Sequence, residues 1–371
     1  MHHVSKNIAV AAFAAAIALP FSAGAADHHA ASGIYGHHDE GHKLKVALWG
    51  DNFYAKDPAV KAAMADQTIN SMNRHDVDFT IFAGDTKNGS SLCSDQAIGT
   101  VVVNIFNRID APTLYTLGDN EWTDCHRANN GSMDPLERLA FLRATFFSKA
   151  TTQGLDPISA ERQGALGEAY SENSRFEKNH VEFVALHIPG SNNNFVSSEK
   201  ACTKKTGRAG RAWDSVNNVP LDECAAATAE YQARNAQNVA WLRDSFARAR
   251  ANGDAGILIA IQADVFFPFE LSDGGYQDSF LPSLDPAVNG YADFFHALIE
   301  ETHNFAGQVL LVHGDSHYFK VDKPMYETDG RLTANFTRVE VFGSADNDWI
   351  EMTVDPTSKD VFTFEPVVLP R

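Results

Sequence analysis

Three apolar runs in the N-terminal part of the chain each break at Gly-Asp, and this pattern constrains the fold most. Lys45 to Trp49 meets Gly50-Asp51, Val77 to Ala83 meets Gly84-Asp85, and Thr113 to Leu117 meets Gly118-Asp119-Asn120-Glu121. Between them, Pro58 to Arg74 sets Val60, Ala63, Met64, Ile69 and Met72 near one face of a helix, and Ser94 and Asp95 can cap another helix running to about Arg108. Strand-helix-strand alternation at this spacing predicts right-handed crossovers and a largely parallel sheet. Ligands of such sheets sit beyond the carboxyl ends of the strands, so Asp51, Asp85 and Asp119 are expected at one crevice.

The second half repeats the habit. A helix from about Thr228 to Arg250 stops at Asn252-Gly253, and the strand Gly256 to Ile261 runs into Gln262-Ala263-Asp264. After a helix over Tyr291 to His303, the strand Gln308 to Val312 delivers His313-Gly314-Asp315-Ser316-His317. Strands over Phe336 to Phe342 and Trp349 to Val354 are expected to complete a sheet. One aspartate after a strand is ordinarily a turn former or a cap. Asp51, Asp85, Asp119, Asp264 and Asp315 together are harder to read that way, because converging carboxylates raise one another's pKa unless a cation sits among them. A metal cluster is therefore expected.

A formal net charge of −18 argues against a nucleic-acid coat or a binder of anionic membranes, both of which need a basic excess. Residues 1–25 carry Lys6, an apolar stretch from Ile8 to Phe21, and Ser22-Ala23-Gly24-Ala25, the pattern of a cleaved secretory signal. The stretch falls short of the ~20 apolar residues of a membrane span, and no later run is long enough. Residues 26–42, rich in histidine between small residues, read as a flexible linker. Residues 43–371 read as one domain of an exported protein, periplasmic or secreted. In that compartment Cys93, Cys125, Cys202 and Cys224 are expected as disulfides, with three connectivities open at this point.

The ordered set Gly50-Asp51, Gly84-Asp85, Gly118-Asp119-Asn120-Glu121, Asp264 and Gly314-Asp315-Ser316-His317 resembles the calcineurin-like metallophosphoesterases, whose pattern runs D-x-H, G-D, G-N-H-D/E, a lone His and G-H-x-H. The resemblance spans Leu44 to about Pro356. It implies an α/β fold, a four-layer αββα sandwich with two mixed β-sheets, and a pair of divalent metal ions that activate water for in-line attack on the phosphorus of a small phosphorylated substrate. Position by position, it implies Asp51 on the first metal, Asp85 bridging, and Asp119 on the second where the family has Asn. Asp264 stands near the lone His, Asp315 at the first His of G-H-x-H, and His317 at its second.

This sequence departs from the pattern at two points. Phe53 stands where D-x-H has its histidine, so the set is rich in oxygen, which favours Mg²⁺, Mn²⁺ or Ca²⁺ over zinc. Asn120 stands where the family has a histidine oriented by the following acid, here Glu121. It can donate a hydrogen bond to a phosphoryl oxygen but not a proton, and losing a general acid typically costs ~10²- to 10⁴-fold. His126, His187 and His313 are candidate donors in its place. Lys87 and Arg127, on loops leaving the second and third strands, are candidate substrate ligands with Asn120.

Those same loops pair Cys93 with Cys125, which leaves Cys202 with Cys224 to staple an inserted loop. That loop carries Lys200, Lys204, Lys205, Arg208 and Arg211. A hydrolase of phosphoric esters is expected. The alternative is a non-catalytic protein that holds metal or phosphate on the same scaffold.

Overall fold

The computed structural model describes residues 43–196, 213–214, 219–220, 223–266, 285–287, 289–327 and 329–370. The signal and linker readings, Cys202 and the basic loop residues lie outside them. In chain order the strands are β1 Leu44–Trp49, β2 Phe79–Phe82, β3 Thr113–Tyr115, β4 Glu161–Arg162, β5 Ser174–Lys178, β6 Val181–Ala185, β7 Trp213–Asp214, β8 Val219–Pro220, β9 Gly256–Ala260, β10 Gln308–His313, β11 Lys320–Asp322, β12 Phe336–Glu340, β13 Trp349–Val354 and β14 Phe362–Val367.

They form two large sheets, ordered β14-β13-β1-β2-β3 and β11-β12-β10-β9-β6-β5-β4, with β7 and β8 pairing separately. Each large sheet has a parallel centre, β1-β2-β3 in one and β6-β9-β10-β12 in the other, and antiparallel strands at its edges. The alternation in the sequence is thus satisfied twice over, and the two mixed sheets are those that the resemblance implied. The late strands part company: β12 lies beside β10 in one sheet and β13 beside β1 in the other.

The core divides by face. Val46, Leu48, Phe79 and Ile81 of the first sheet pack with Phe183, Leu258, Leu310 and Val339 of the second in one buried cluster, so the sheets are stacked face to face. The opposite face of the first sheet, with Ala47, Trp49 and Phe82, buries Ile69 and Met72 of the Pro58–His75 helix and Leu139 and Leu142 of the Pro135–Phe146 helix. The outer face of the second, with Val184, Ile257, Ile259 and Leu311, buries Leu242 and Phe246 of the Glu223–Asn252 helix and Phe294 and Leu298 of the Ala292–His303 helix. The order is helix, sheet, sheet, helix. No helix among the described residues is long and apolar enough to cross a membrane.

Local chemistry explains the helix starts. Asp57 accepts from Ala59 N and Val60 N ahead of Pro58, and Asp134 accepts from Leu136 N ahead of Pro135, so each helix opens on a side-chain cap followed by the residue best suited to its first turn. Cys93 and Cys125 are disulfide-bonded, with Cα atoms 5.7 Å apart, and join the loop after β2 to the loop after β3. Cys224 is also disulfide-bonded. Because Cys93 and Cys125 are 32 positions apart, opening their bridge in a Cys93→Ser/Cys125→Ser variant is expected to cost about 2–4 kcal/mol. Urea titration of the double variant measures this, and a loss below about 1 kcal/mol would show that the loops are held by other contacts.

Candidate metal centre

The ends of β1, β2, β3 and β10 meet at one point. Asp51 is fully buried, and its backbone N–H donates to the Gly84 carbonyl at 2.9 Å, tying the first two Gly-Asp turns together. Asp85 accepts from Asn120 N at 3.0 Å and Asn120 Nδ2 at 2.6 Å, which ties the second turn to the third. Asp315 N donates to Asp51 Oδ2 at 3.1 Å, and Ser191 Oγ donates to Asp119 Oδ2 at 2.6 Å. Two glycines permit this approach. A Cβ on Gly118 would overlap the Asp85 carboxylate, and one on Gly314 would overlap that of Asp51.

Tyr54 is the residue that pattern reading passes over. Its hydroxyl lies 3.1 Å from both Asp51 Oδ1 and Asp85 Oδ2, and it accepts from Asn120 Nδ2 at 3.4 Å. It arrives there because Asp51 and Phe53 have positive φ, 51° and 63°, which folds the loop back on itself. Phe53, at the position of the missing histidine, goes the other way into the core, its ring 5.8 Å from Trp49.

His317 completes the centre. Its Nδ1 bonds the Ser344 carbonyl at 2.7 Å. A carbonyl can only accept, so Nδ1 carries the hydrogen and Nε2, 3.4 Å from Asp51 Oδ1, presents its lone pair inward when the ring is neutral.

The electrostatics are those of crowded acids. Burial, then the charges of Asp119, Glu121 and Asp51, push the Asp85 carboxyl well above the usual range. Burial, then Asp119 and Asp51, do the same to Asp315. Burial and the flanking Asp51 and Asp85 also push the Tyr54 hydroxyl far up, so it stays protonated. For His317 burial works downward, but the hydrogen bond and charge of Asp51 outweigh it and hold its pKa above the ordinary value. Such a set fits a hard divalent cation: carboxylate oxygens dominate it, an imidazole nitrogen is already oriented, and the repulsion is of the sign a cation relieves.

The remaining sequence candidates take other places. Glu121 lies behind the centre, accepting from Thr86 N and the Tyr115 hydroxyl, with Oε2 buried and without a hydrogen bond among the described residues; burial raises its pKa. Asp264 gives Asp315 its backbone N–H at 3.4 Å, but its carboxylate faces Ser316, His313, Lys320 and Arg338. Burial works upward on Asp264, and His313, Lys320, Ser316 and Arg338 together hold it below the usual range. The ligand atoms of Asp264, His313 and Glu340 lie within 4.8 Å of one another, yet Lys320 Nζ already pairs with Glu340 at 2.8 Å. This second cluster carries its own cations.

The three histidines proposed as proton donors take other hydrogen-bond partners. His187 is fully buried, gives Nδ1 to Glu172 at 2.8 Å and packs on Trp122; burial lowers its pKa to about 4. His313 bonds the Gly314 carbonyl at 2.9 Å. His126 bonds the Thr123 carbonyl at 2.7 Å. Arg127 pairs with Asp124 at 2.6 Å, and Lys87 Nζ donates to the Asn88 carbonyl at 3.0 Å.

A thermal prediction follows from the raised carboxyls. Asp85 and Asp315 leave the metal-free fold at full stability below the ordinary carboxylate range and cost it stability as pH rises through their elevated values. A divalent cation needs the ionised forms, so the rise in Tm given by saturating Mn²⁺ over chelator is expected to be larger at pH 8 than at pH 5. Scanning calorimetry measures it, and an equal gain at both pH values would dissociate the cation from these acids.

No family model matches the chain, and no curated protein matches it. Among solved structures, it is similar to GAP50, the anchor in the inner membrane complex of Plasmodium, with 10% identity and a TM-score of 0.40 over 89% of this chain and 90% of that one. It is also similar to the 5'-nucleotidase from Candida albicans SC5314, with 11% identity and a TM-score of 0.38 over 87% of this chain and 50% of that one, so it spans half the length of that protein.

Proposed function

We propose that this protein is an exported, metal-dependent phosphoric ester hydrolase of the calcineurin-like metallophosphoesterase type, acting on a small phosphorylated substrate. The observation that carries the reading is the convergence of Asp51, Asp85, Asp119 and Asp315 with His317 at the ends of four strands, arranged so that Asp119 and Asp51 help to raise the pKa of Asp85 and Asp315. Asp51, Asp85, Asp119, Asp315 and His317 would hold two divalent ions, with Mg²⁺, Mn²⁺ or Ca²⁺ favoured by the oxygen-rich donors. When bound, such ions neutralise phosphoryl charge and make water a competent nucleophile near neutral pH.

The chain's own groups do the rest. Asn120 Nδ2, now on Asp85 and Tyr54, is an amide donor for a phosphoryl oxygen as charge develops there. Tyr54 supplies an uncharged O–H between Asp51 and Asp85, and its raised pKa keeps the hydrogen available. Ser191 fixes Asp119 by a direct hydrogen bond, from a turn in which Ser191, Asn192, Asn193 and Asn194 all have positive φ. Holding several such residues in left-handed backbone costs energy, which is expected where position matters more than stability. Export accords with the Cys93–Cys125 disulfide.

A second reading, a non-catalytic protein that holds metal or phosphate, is favoured by one observation: His187 and His313 turn to other partners, and Asn120 cannot deliver a proton. Assays on aryl phosphate mono- and diesters with Mg²⁺, Mn²⁺, Ca²⁺ or chelator separate the two. Metal-dependent turnover supports the hydrolase. Cation-induced thermal stabilisation without turnover supports the binding protein.

A further inference from the structure

A cleft of about 470 Å³ opens beside the carboxylate centre, lined among others by Lys56, Lys61, Lys87, Ser90, Ser94 and Ala55. It adjoins the centre through the chain itself: Ala55 follows Tyr54, and Lys87 lies two positions past Asp85. The lysines are unusual. Lys61 is 7% exposed and Lys87 3%, so both ammonium stems are buried although the groups line an opening.

Lys61 Nζ donates to the Thr86 carbonyl and Lys87 Nζ to the Asn88 carbonyl, and neither makes an ion pair among the described residues. An ammonium has three donors, and each has one engaged. Buried charges are ordinarily paired, so two on one wall with donors left over make an anion seat. Burial lowers the Lys61 ammonium to about 8, which leaves it mostly charged at neutral pH. Ser94 Oγ accepts from Ala97 N, so its own hydrogen is available to a ligand. The wall is tethered at one point: Cys93, next to Ser94, is held by the disulfide and by N–H donation to the Asn130 carbonyl at 3.0 Å.

We propose that this cleft seats a second phosphate of the substrate, so that the preferred substrates are small phosphoesters bearing two phosphate groups. The assignment rests on the hydrolase reading and names its substrate class. Against it stands the possibility that Lys61 and Lys87 serve only as counter-charges to Glu121 and Asp85, which attract them from the centre. The two roles differ in what the cleft binds without metal.

The test is calorimetric titration of inorganic phosphate into the protein in chelator at low ionic strength. Saturable binding is expected in wild type, weakened at least tenfold in Lys61→Gln and in Ser94→Asp. The latter retains a helix cap and puts a like charge in the cleft, so its effect does not depend on removing a buried lysine. Lys149→Gln, on an exposed residue outside the cleft, should bind as wild type does. Phosphate bound no more tightly by wild type than by Ser94→Asp would overturn the proposal.

A second arm compares kcat/KM for a sugar bisphosphate with that for phenyl phosphate in the presence of Mn²⁺. The ratio should fall at least tenfold in Ser94→Asp, and an unmoved ratio would also overturn the proposal. If no ester is turned over, the hydrolase reading fails by itself and the phosphate titration still decides whether the cleft is an anion seat.

Discussion

Asp85→Asn is expected to lower metal-dependent turnover of an aryl phosphate by about 10³-fold or more, the scale of removing one key electrostatic group from a preorganised centre. Asp85 is where the interactions of the centre concentrate, since Asn120 reaches Oδ1 through its backbone N–H and Oδ2 through its side chain, and the Tyr54 hydroxyl shares Oδ2. Asparagine keeps the shape and one acceptor while removing the charge. The chelated variant should melt close to wild type, because lost hydrogen bonding is offset by relief of a carboxylate that its neighbours repel. The cation-induced gain in Tm should shrink with the turnover. Turnover unchanged from wild type would sink the hydrolase reading, and an unchanged cation-induced gain would remove Asp85 from the metal set.

How much of this was legible depends on whether a feature is local. Asp51, Asp85, Asp119 and Asp315 each follow a strand and a glycine, and that local signature brought them to one place. The αββα order was harder: alternation marks parallel strands but not which sheet they join, and β12 and β13 separate into different sheets although only a short loop divides them. The β5-β6 hairpin turns on Asn179-His180, both with positive φ, a two-residue turn signal that the pattern of Gly-Asp strands overshadowed.

Tyr54 was hidden because its reach depends on left-handed backbone at Asp51 and Phe53, which non-glycine residues do not advertise. The carboxylate of Asp264 was misleading for the opposite reason. It ends a strand as the others do, but Lys320 and Arg338, from β11 and β12 far along the chain, draw it out of the acid group. His187 likewise ends a strand, and only the tertiary fold supplies Glu172 to take its Nδ1.

The largest stability effect is expected at Arg234, whose role no sequence pattern suggested. Its guanidinium is fully buried in the Glu223–Asn252 helix and donates to the His187 carbonyl at 3.1 Å and to Asn193 Oδ1 and the Asn193 carbonyl at 2.5 and 2.9 Å. It pairs with Glu230 at 2.6 Å and lies 5.4 Å over the ring of Trp122. One side chain thus binds the loop that carries His187, the left-handed turn that presents Ser191 to Asp119, and the residue after Glu121. Arg234→Met would leave the buried Asn193 Oδ1 without this donor and Glu230 with Asn194 in place of its cation, at a cost of about 3–5 kcal/mol. Lysine should recover only part of this, because one ammonium cannot reproduce a planar fork that serves several acceptors at once. Urea unfolding gives the number as a shift in midpoint at constant slope, and a loss under about 1 kcal/mol would mean that the turn is held without Arg234. Since Ser191 hangs from the same turn, the cation-induced gain in Tm should fall in Arg234→Met even at temperatures where the variant is folded. That result would tie the helix to the metal centre through Asn193, Ser191 and Asp119.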